Sequence, residues 1–173
     1  MQLVRVIETS AAVAATRSRL AKVAALAQTL QEAAGVGDHA DRQPSSAGEG
    51  TGLQAADRER LVRVTADYLA GTLPQRTVGV GYRGLRDLPA PADEPGLDVL
   101  EVDDLLTAMA ALAGPGSAAA RSAAVAELFG RATADEQRWL VGLITGELRQ
   151  GASDGVLLPA VAQIGRASCR ERV

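Results

Sequence analysis

One tryptophan, Trp139, and one phenylalanine, Phe129, are all that the chain offers of those two residues, and aromatic residues make up 2% of its 173 positions. A core must therefore be filled by Leu, Val, Ile and Ala, packed at short distances. Hydrophobic residues reach 47%, and many are alanine, which loses no side-chain entropy in a helix. The composition points to closely packed helices. A chain of this length can bury a core of its own, so one domain is the default and two small helical lobes are also allowed.

Apolar residues recur at helical spacing in several windows. Residues 3–31 carry Val13, Leu20, Val23, Ala27 and Leu30. Thr9 or Ser10 is able to break or cap that run, so one long helix or two consecutive helices are allowed. Leu61, Val64, Tyr68 and Leu69 form a stripe over residues 57–70, with Gly71 as its stop. Leu105, Leu106, Met109 and Leu112 form another face, ended by Gly114, Pro115 and Gly116, after which Ser117 is placed to cap a helix holding Val125, Leu128 and Phe129. Thr133 followed three residues later by Glu136 is a capping box, opening a helix through Trp139, Leu140, Leu143 and Ile144 that ends near Gly146. Ser153 or Asp154 starts a last helix, in which Pro159 fits only within the first turn. Residues 35–52, rich in Gly, Ser and acidic side chains, have no apolar period and read as a flexible surface loop. Residues 77–86, TVGVGYRGLR, read as a turn and crossover between helical lobes.

A formal charge of −3 argues against an indiscriminate polyanion binder, though not against a site made of a few arginines and backbone amides. Cys169 is the only cysteine, which excludes an internal disulfide and fits a reducing compartment. No run is long enough to span a bilayer, and the start lacks a signal-peptide pattern, so the cytoplasm is the expected location. The single histidine, His39, sits in the polar loop without a ligand-spaced partner, which leaves a metal centre and a histidine-based triad unsupported. Gly79, Gly81 and Gly84 echo a dinucleotide fingerprint, but no strand precedes them and a proline-rich stretch follows.

More informative is Arg149 with Gly151, Ala152, Ser153, Asp154 and Gly155. A turn that exposes backbone amides, followed by a helix N-terminus and flanked by a guanidinium, can hold an anion such as a DNA phosphate. The plainer reading stays open beside it: the glycines permit the turn, and Arg149 pairs with Glu147 or Asp154. Arg121, Arg131 and Arg138 are equally ambiguous, because charged helix faces are commonly just solvated.

The ordered segments ADYLAGTLPQRTVGVGYRGL, EVDDLL, AVAELFGRAT and DEQRWLVGLITGELRQGASDGVLLPAVA resemble the N-terminal DNA-binding domain of bacterial, particularly actinobacterial, ATP-dependent DNA ligases. The opening ETSAAVAATRSRLAKVAALAQTL is similar to that group too. The likeness spans residues 1–162, is broken mainly at 35–52, and is strongest over 136–162. It implies an all-α, multi-helix domain that lies across the minor groove of nicked double-stranded DNA and helps the enzyme encircle it. Arg149, Gly151, Ala152, Ser153 and Gly155 are implied as phosphate-contacting residues, with Gln75, Arg76, Gly79 and Gly81 as a second, weaker set. Such contacts give affinity without sequence preference.

The same resemblance implies ATP and Mg2+ for the parent enzyme, which adenylates the lysine of a KxDG motif. Here the sole lysine, Lys22, is followed by Val23, Ala24 and Ala25, so no cofactor is expected for this chain and it is expected to be inactive alone. Nucleotidyltransferase and oligonucleotide-binding domains are expected elsewhere in the same protein, and a monomer is expected. The competing reading is a helical protein-interaction domain without DNA binding. The final stretch, IGRASCRERV, resembles a translated sequencing adapter. The expected organisation is thus a domain over 1–163 and a non-native tail over 164–173, a genuine short basic terminus being the alternative.

Overall fold

Helical periodicity in an alanine-rich, aromatic-poor chain is realised as an all-α fold. The computed structural model describes residues 1–35, 54–148 and 152–170. The helices are α1 (Leu3–Ala15), α2 (Arg19–Ala34), α3 (Ala55–Leu69), α4 (Val99–Ala111), α5 (Ser117–Gly130), α6 (Ala134–Thr145) and α7 (Asp154–Arg170), with a short 3-10 turn at Tyr82–Leu85. The expected loop lies almost wholly outside the described residues, as do Arg149 and Gly151. Helix α7 crosses the expected 163/164 boundary without a break, and Ile164 packs partly against the core.

The buried residues form one cluster to which every helix contributes: Leu3, Leu26, Leu61, Val102, Val125, Leu140 and Val156 represent α1 to α7 in turn. The crossover after α3 therefore does not divide two cores. Each fully buried Leu or Val contributes about 1.5–3 kcal/mol, so the aliphatic cluster is the main source of cohesion. Tyr68 and Trp139 meet edge to face with centroids 5.7 Å apart, and the Tyr68 hydroxyl is buried without a hydrogen-bond partner.

The first helical region is two helices, but the break lies at Thr16–Ser18 and not at Thr9 or Ser10. Ser18 Oγ accepts the Ala21 N–H at 3.3 Å and caps α2. Thr9 and Ser10 are buried within α1. The Thr9 hydroxyl bonds back to the Arg5 carbonyl at 2.9 Å and meets the Thr29 hydroxyl of α2 at 2.7 Å, so packing has claimed the group that looked like a cap. Ser117 is likewise the first residue of α5 and not its cap; Gly116, at φ +85°, holds that place without a side-chain bond. The Thr133–Glu136 capping box forms as expected, with the Thr133 N–H donating to Glu136 Oε2 at 2.8 Å.

Pro159 departs most from expectation. It is inside α7, beyond the first turn. A proline has no N–H for the carbonyl four residues earlier, which would leave the Gly155 oxygen unmatched. Arg19 Nη2 of α2 donates to that oxygen at 2.9 Å. The vacancy created by the proline thus becomes a tie between α2 and α7. We expect Arg19→Ala to cost about 1 kcal/mol in equilibrium denaturation. The cost should shrink in a Pro159→Ala background, where residue 159 regains its own N–H; equal costs in both backgrounds would show that Arg19 stabilises by another route.

Two ion pairs pin helices together: Arg5 to Glu32 between α1 and α2, and Glu101 of α4 to Arg131 at the end of α5, each through two hydrogen bonds of 2.6–2.9 Å. The guanidinium hydrogen bonds hold both carboxyls below their ordinary value of 4.5. A carboxyl depressed on folding stabilises the fold above its unfolded value and loses that contribution as pH falls through the lower folded value. Acid titration of stability should therefore steepen below pH 4.5, and Glu32→Gln with Glu101→Gln should flatten that limb.

Candidate nucleic-acid interface

Helices α3 and α6 end in the same way, and their ends meet. Gly71, at φ +73°, sends its N–H to the Tyr68 carbonyl at 3.0 Å while Thr72 N–H reaches Asp67 at 2.9 Å. Gly146, at φ +72°, bonds Leu143 at 3.3 Å while Glu147 N–H reaches Gly142 at 2.8 Å. Both are Schellman endings, in which a left-handed glycine turns the chain and the last carbonyls find donors. Gly71, Thr72, Leu73 and Arg76 line one side of a shallow groove, and Leu143 to Gly146 line the other. A Cβ on Gly71 would lie 3.1 Å from the Leu148 carbonyl oxygen. Farther along, the Tyr82 hydroxyl donates to Glu147 Oε2 at 2.5 Å. The crossover therefore borders the segment that leads directly into Arg149, so two regions far apart in sequence share a surface.

Arg76 is the point of greatest strain on that surface. Its N–H bonds the Leu73 carbonyl at 3.0 Å, and the next N–H, of Thr77, reaches back to the Gln75 carbonyl at 2.6 Å. This is a γ-turn centred on Arg76, whose φ is +61°. Among the described residues Arg76 is the only non-glycine with positive φ. That conformation costs a residue with a Cβ about 1–2 kcal/mol. Its side chain is exposed, without an ion-pair partner among the described residues, and the same holds for Arg83 and Arg86 on the crossover.

Arg121, Arg131 and Arg138 are engaged. Arg131 pairs with Glu101 at 2.6 Å and Arg138 with Asp135 at 2.8 Å. Arg121 donates through Nη2 to the Leu112 carbonyl, closing the end of α4. Gly79, at φ +68°, gives that guanidinium room: a Cβ there would stand 2.8 Å from Arg121 Nε. Gly81 faces open space. Gln75 is turned inward, its Nε2 donating to Asp103 Oδ1 at 2.6 Å and Thr107 Oγ1 at 2.8 Å. On the other side of the surface Ala152 is half-buried, while Ser153 and Gly155 are exposed. The Ser153 carbonyl accepts from Val156 at 2.9 Å and Leu157 at 3.1 Å, so Ser153 occupies the N-cap place of α7.

Sequence reasoning missed Arg19 and Asp103. Pro159 was the available signal for the first, since its missing N–H leaves a carbonyl that needs a donor. For the second, the signal was an aspartate one position from Val102 on the buried stripe of α4, which also holds Val99, Leu106 and Met109.

Residues 83–162 match the family described as DNA ligase N terminus. The chain is 51% identical over 164 residues to a protein described as "Probable DNA ligase" from Kineococcus radiotolerans, a match covering 95% of this chain and 28% of that protein. It is 52% identical over 157 residues to another so described from a Nocardioides species, covering 91% and 27%. Against "DNA ligase B" of Mycobacterium tuberculosis it is 45% identical over 155 residues, covering 90% and 26%. Over residues 83–162 the chain is thus similar to the N-terminal domain of DNA ligases. It spans little more than a quarter of the length of these relatives. No solved structure matches it.

The paired glycine endings make a sharp comparison. Alanine at Gly146 meets open space and carries only the conformational cost of a left-handed residue, about 1 kcal/mol. Alanine at Gly71 meets the Leu148 carbonyl as well. Denaturant titrations should show Gly71→Ala as the more destabilising by about 1 kcal/mol; equal losses would mean that the crossover does not pack against Leu148.

Proposed function

We propose that this domain grips nicked double-stranded DNA across the minor groove through phosphate contacts, as part of a parent ligase that seals the nick. The observation that carries the proposal is Arg76: an exposed guanidinium, without an ion-pair partner among the described residues, on a residue held in a strained backbone conformation, on the surface that it shares with the end of α6. Strain of this kind persists where the surrounding structure imposes it, and it gathers at functional positions. Arg149 would supply a second guanidinium. Gly151, Ala152, Ser153 and Gly155 would offer backbone and the N-terminal pole of α7, with Gly79 and Gly81 allowing close approach along the crossover. Contacts to phosphate carry no base information, which suits an enzyme that must accept any nick.

The parent's sealing reaction, in repair, replication or recombination, is read from relatives described as DNA ligases. ATP and Mg2+ belong to other parts of that protein. Lys22, followed by Val23, lacks the KxDG setting, and no three metal-ligating side chains gather among the described residues. No step of the chemistry is therefore assigned to this chain. Among the described residues no helix is long and apolar enough to cross a membrane; we place the protein in the cytoplasm, acting as a monomer alongside its own nucleotidyltransferase and oligonucleotide-binding domains.

The test is the affinity for a nicked duplex over a salt series, for the unaltered chain and for Arg76→Ala and Arg149→Ala. Each substitution should reduce the slope of log K against log salt by about 0.9, one phosphate contact's share. Salt-insensitive binding, or none at micromolar protein, overturns the proposal in favour of a helical protein-interaction domain.

A further inference from the structure

The amide of Gln75 has two hydrogens, and the structure uses both. Gln75 Nε2 lies 2.6 Å from Asp103 Oδ1 and 2.8 Å from Thr107 Oγ1, with the Asp103 carbonyl at 3.3 Å as a third neighbour. Its Oε1 is buried and has no partner among the described residues. A phosphate needs donors, and Gln75 has none left; its remaining oxygen would repel one. Asp103 is held just as firmly. Its side chain is 7% exposed. Oδ2 accepts from Arg60 Nε at 3.1 Å and Nη2 at 2.5 Å, which leaves Oδ1 for Gln75.

Gln75 immediately precedes the strained residue. Its carbonyl is the acceptor of the γ-turn and its side chain is tied to α4, while Leu73 and Val78 are buried at 7% and 1% exposure on either side. Arg76 is thus confined between anchors on both flanks, and its backbone has no freedom to relax to negative φ. Opening the turn requires breaking the bonds of Gln75 to Asp103 and Thr107 or withdrawing a buried aliphatic side chain.

We infer that Gln75 and Asp103 are positioning residues that act through Arg76, fixing its guanidinium outward on the DNA-facing surface, and that neither touches the nucleic acid. This rests on the proposed role of Arg76 in binding a phosphodiester.

Two double-mutant cycles test it, with Gln75→Met, Arg76→Gly and the double variant. The first is thermal unfolding without DNA. Arg76→Gly relieves the forced positive φ and should raise the midpoint by about 2–4 °C; in the Gln75→Met background that gain should fall by at least half. Equal gains in the two backgrounds overturn the anchor. The second cycle is nicked-duplex binding over a salt series. Arg76→Gly should reduce the salt slope by about 0.9, Gln75→Met should weaken binding, and the double variant should bind no more weakly than Arg76→Gly alone. Losses that multiply overturn the inference, because Gln75 would then contact DNA itself. Wild-type binding by Arg76→Gly overturns the phosphate role of Arg76 and with it the DNA-binding role of the anchor, while the unfolding cycle still decides separately whether Gln75 holds the turn. Gln75→Asn keeps an amide but shortens its reach; it should repeat both patterns, and it keeps the test available if Gln75→Met does not fold.

Discussion

A carboxylate withdrawn from water must be matched by donors, and Asp103, buried like Glu136, meets that demand with groups from two other segments. Its two oxygens are divided between Arg60 of α3 and Gln75 of the crossover, so one residue of α4 fixes the relation of three segments. Arg60 also donates to Asp104 at 2.5 Å, and hydrogen bonds to Asp104 and Asp103 keep its guanidinium firmly protonated. The cluster forms the polar margin of an otherwise aliphatic core. Next to it the Tyr68 hydroxyl has no partner, and burial, reinforced by the Asp103 charge, raises its pKa and keeps it neutral. Hydrophobic packing would tolerate small shifts of the crossover; a part-buried ion pair with directed hydrogen bonds resists them.

The helices were legible because their signals are local. Leu61, Val64, Tyr68 and Leu69 mark the buried side of α3 by spacing alone, and Thr133 with Glu136 announces the start of α6 within four residues. What could not be read were cases where a distant group decides. Thr9 suits a cap by its chemistry, but Thr29 of α2 lies within hydrogen-bond reach, and the hydroxyl turns inward. Pro159 is poorly suited to a helix interior until Arg19, 136 positions before Gly155, supplies the donor that the Gly155 carbonyl lacks. Gln75 and Arg76 are adjacent and polar, so sequence reasoning gave them one role. The fold separates them, one amide pointing into α4 and one guanidinium to solvent. The ordered segments made the ligase family recognisable; composition and periodicity alone would have stopped at a helical domain.

Surface arginines fall into two groups. Arg5 is compensated by Glu32, Arg60 by two aspartates, Arg131 by Glu101 and Arg138 by Asp135, whereas Arg17, Arg58 and Arg63, also on or beside helices, have no ion pair among the described residues. Those on the crossover at 76, 83 and 86 have no such neighbour among the described residues. A net charge of −3 says little about the field at one surface, because it sums charges spread over the whole chain.

Helix poles sharpen the asymmetry. The C-terminal ends of α3 and α6 converge on the groove that Arg76 lines, and each carries partial negative charge from its last carbonyls. By themselves those poles disfavour an anion. The Schellman endings engage part of that carbonyl set internally, and Arg76 adds a full positive charge beside the rest. An incoming phosphate is thus favoured only if the guanidinium outweighs the poles, which makes its fixed location matter more than its mere presence. A freely moving arginine could settle back onto the exposed carbonyls and cancel itself there. A γ-turn tied by Gln75 and flanked by buried Leu73 and Val78 fixes where that side chain leaves the backbone. On the proposed reading, the cost of holding a non-glycine residue at positive φ is the cost of keeping a charge available.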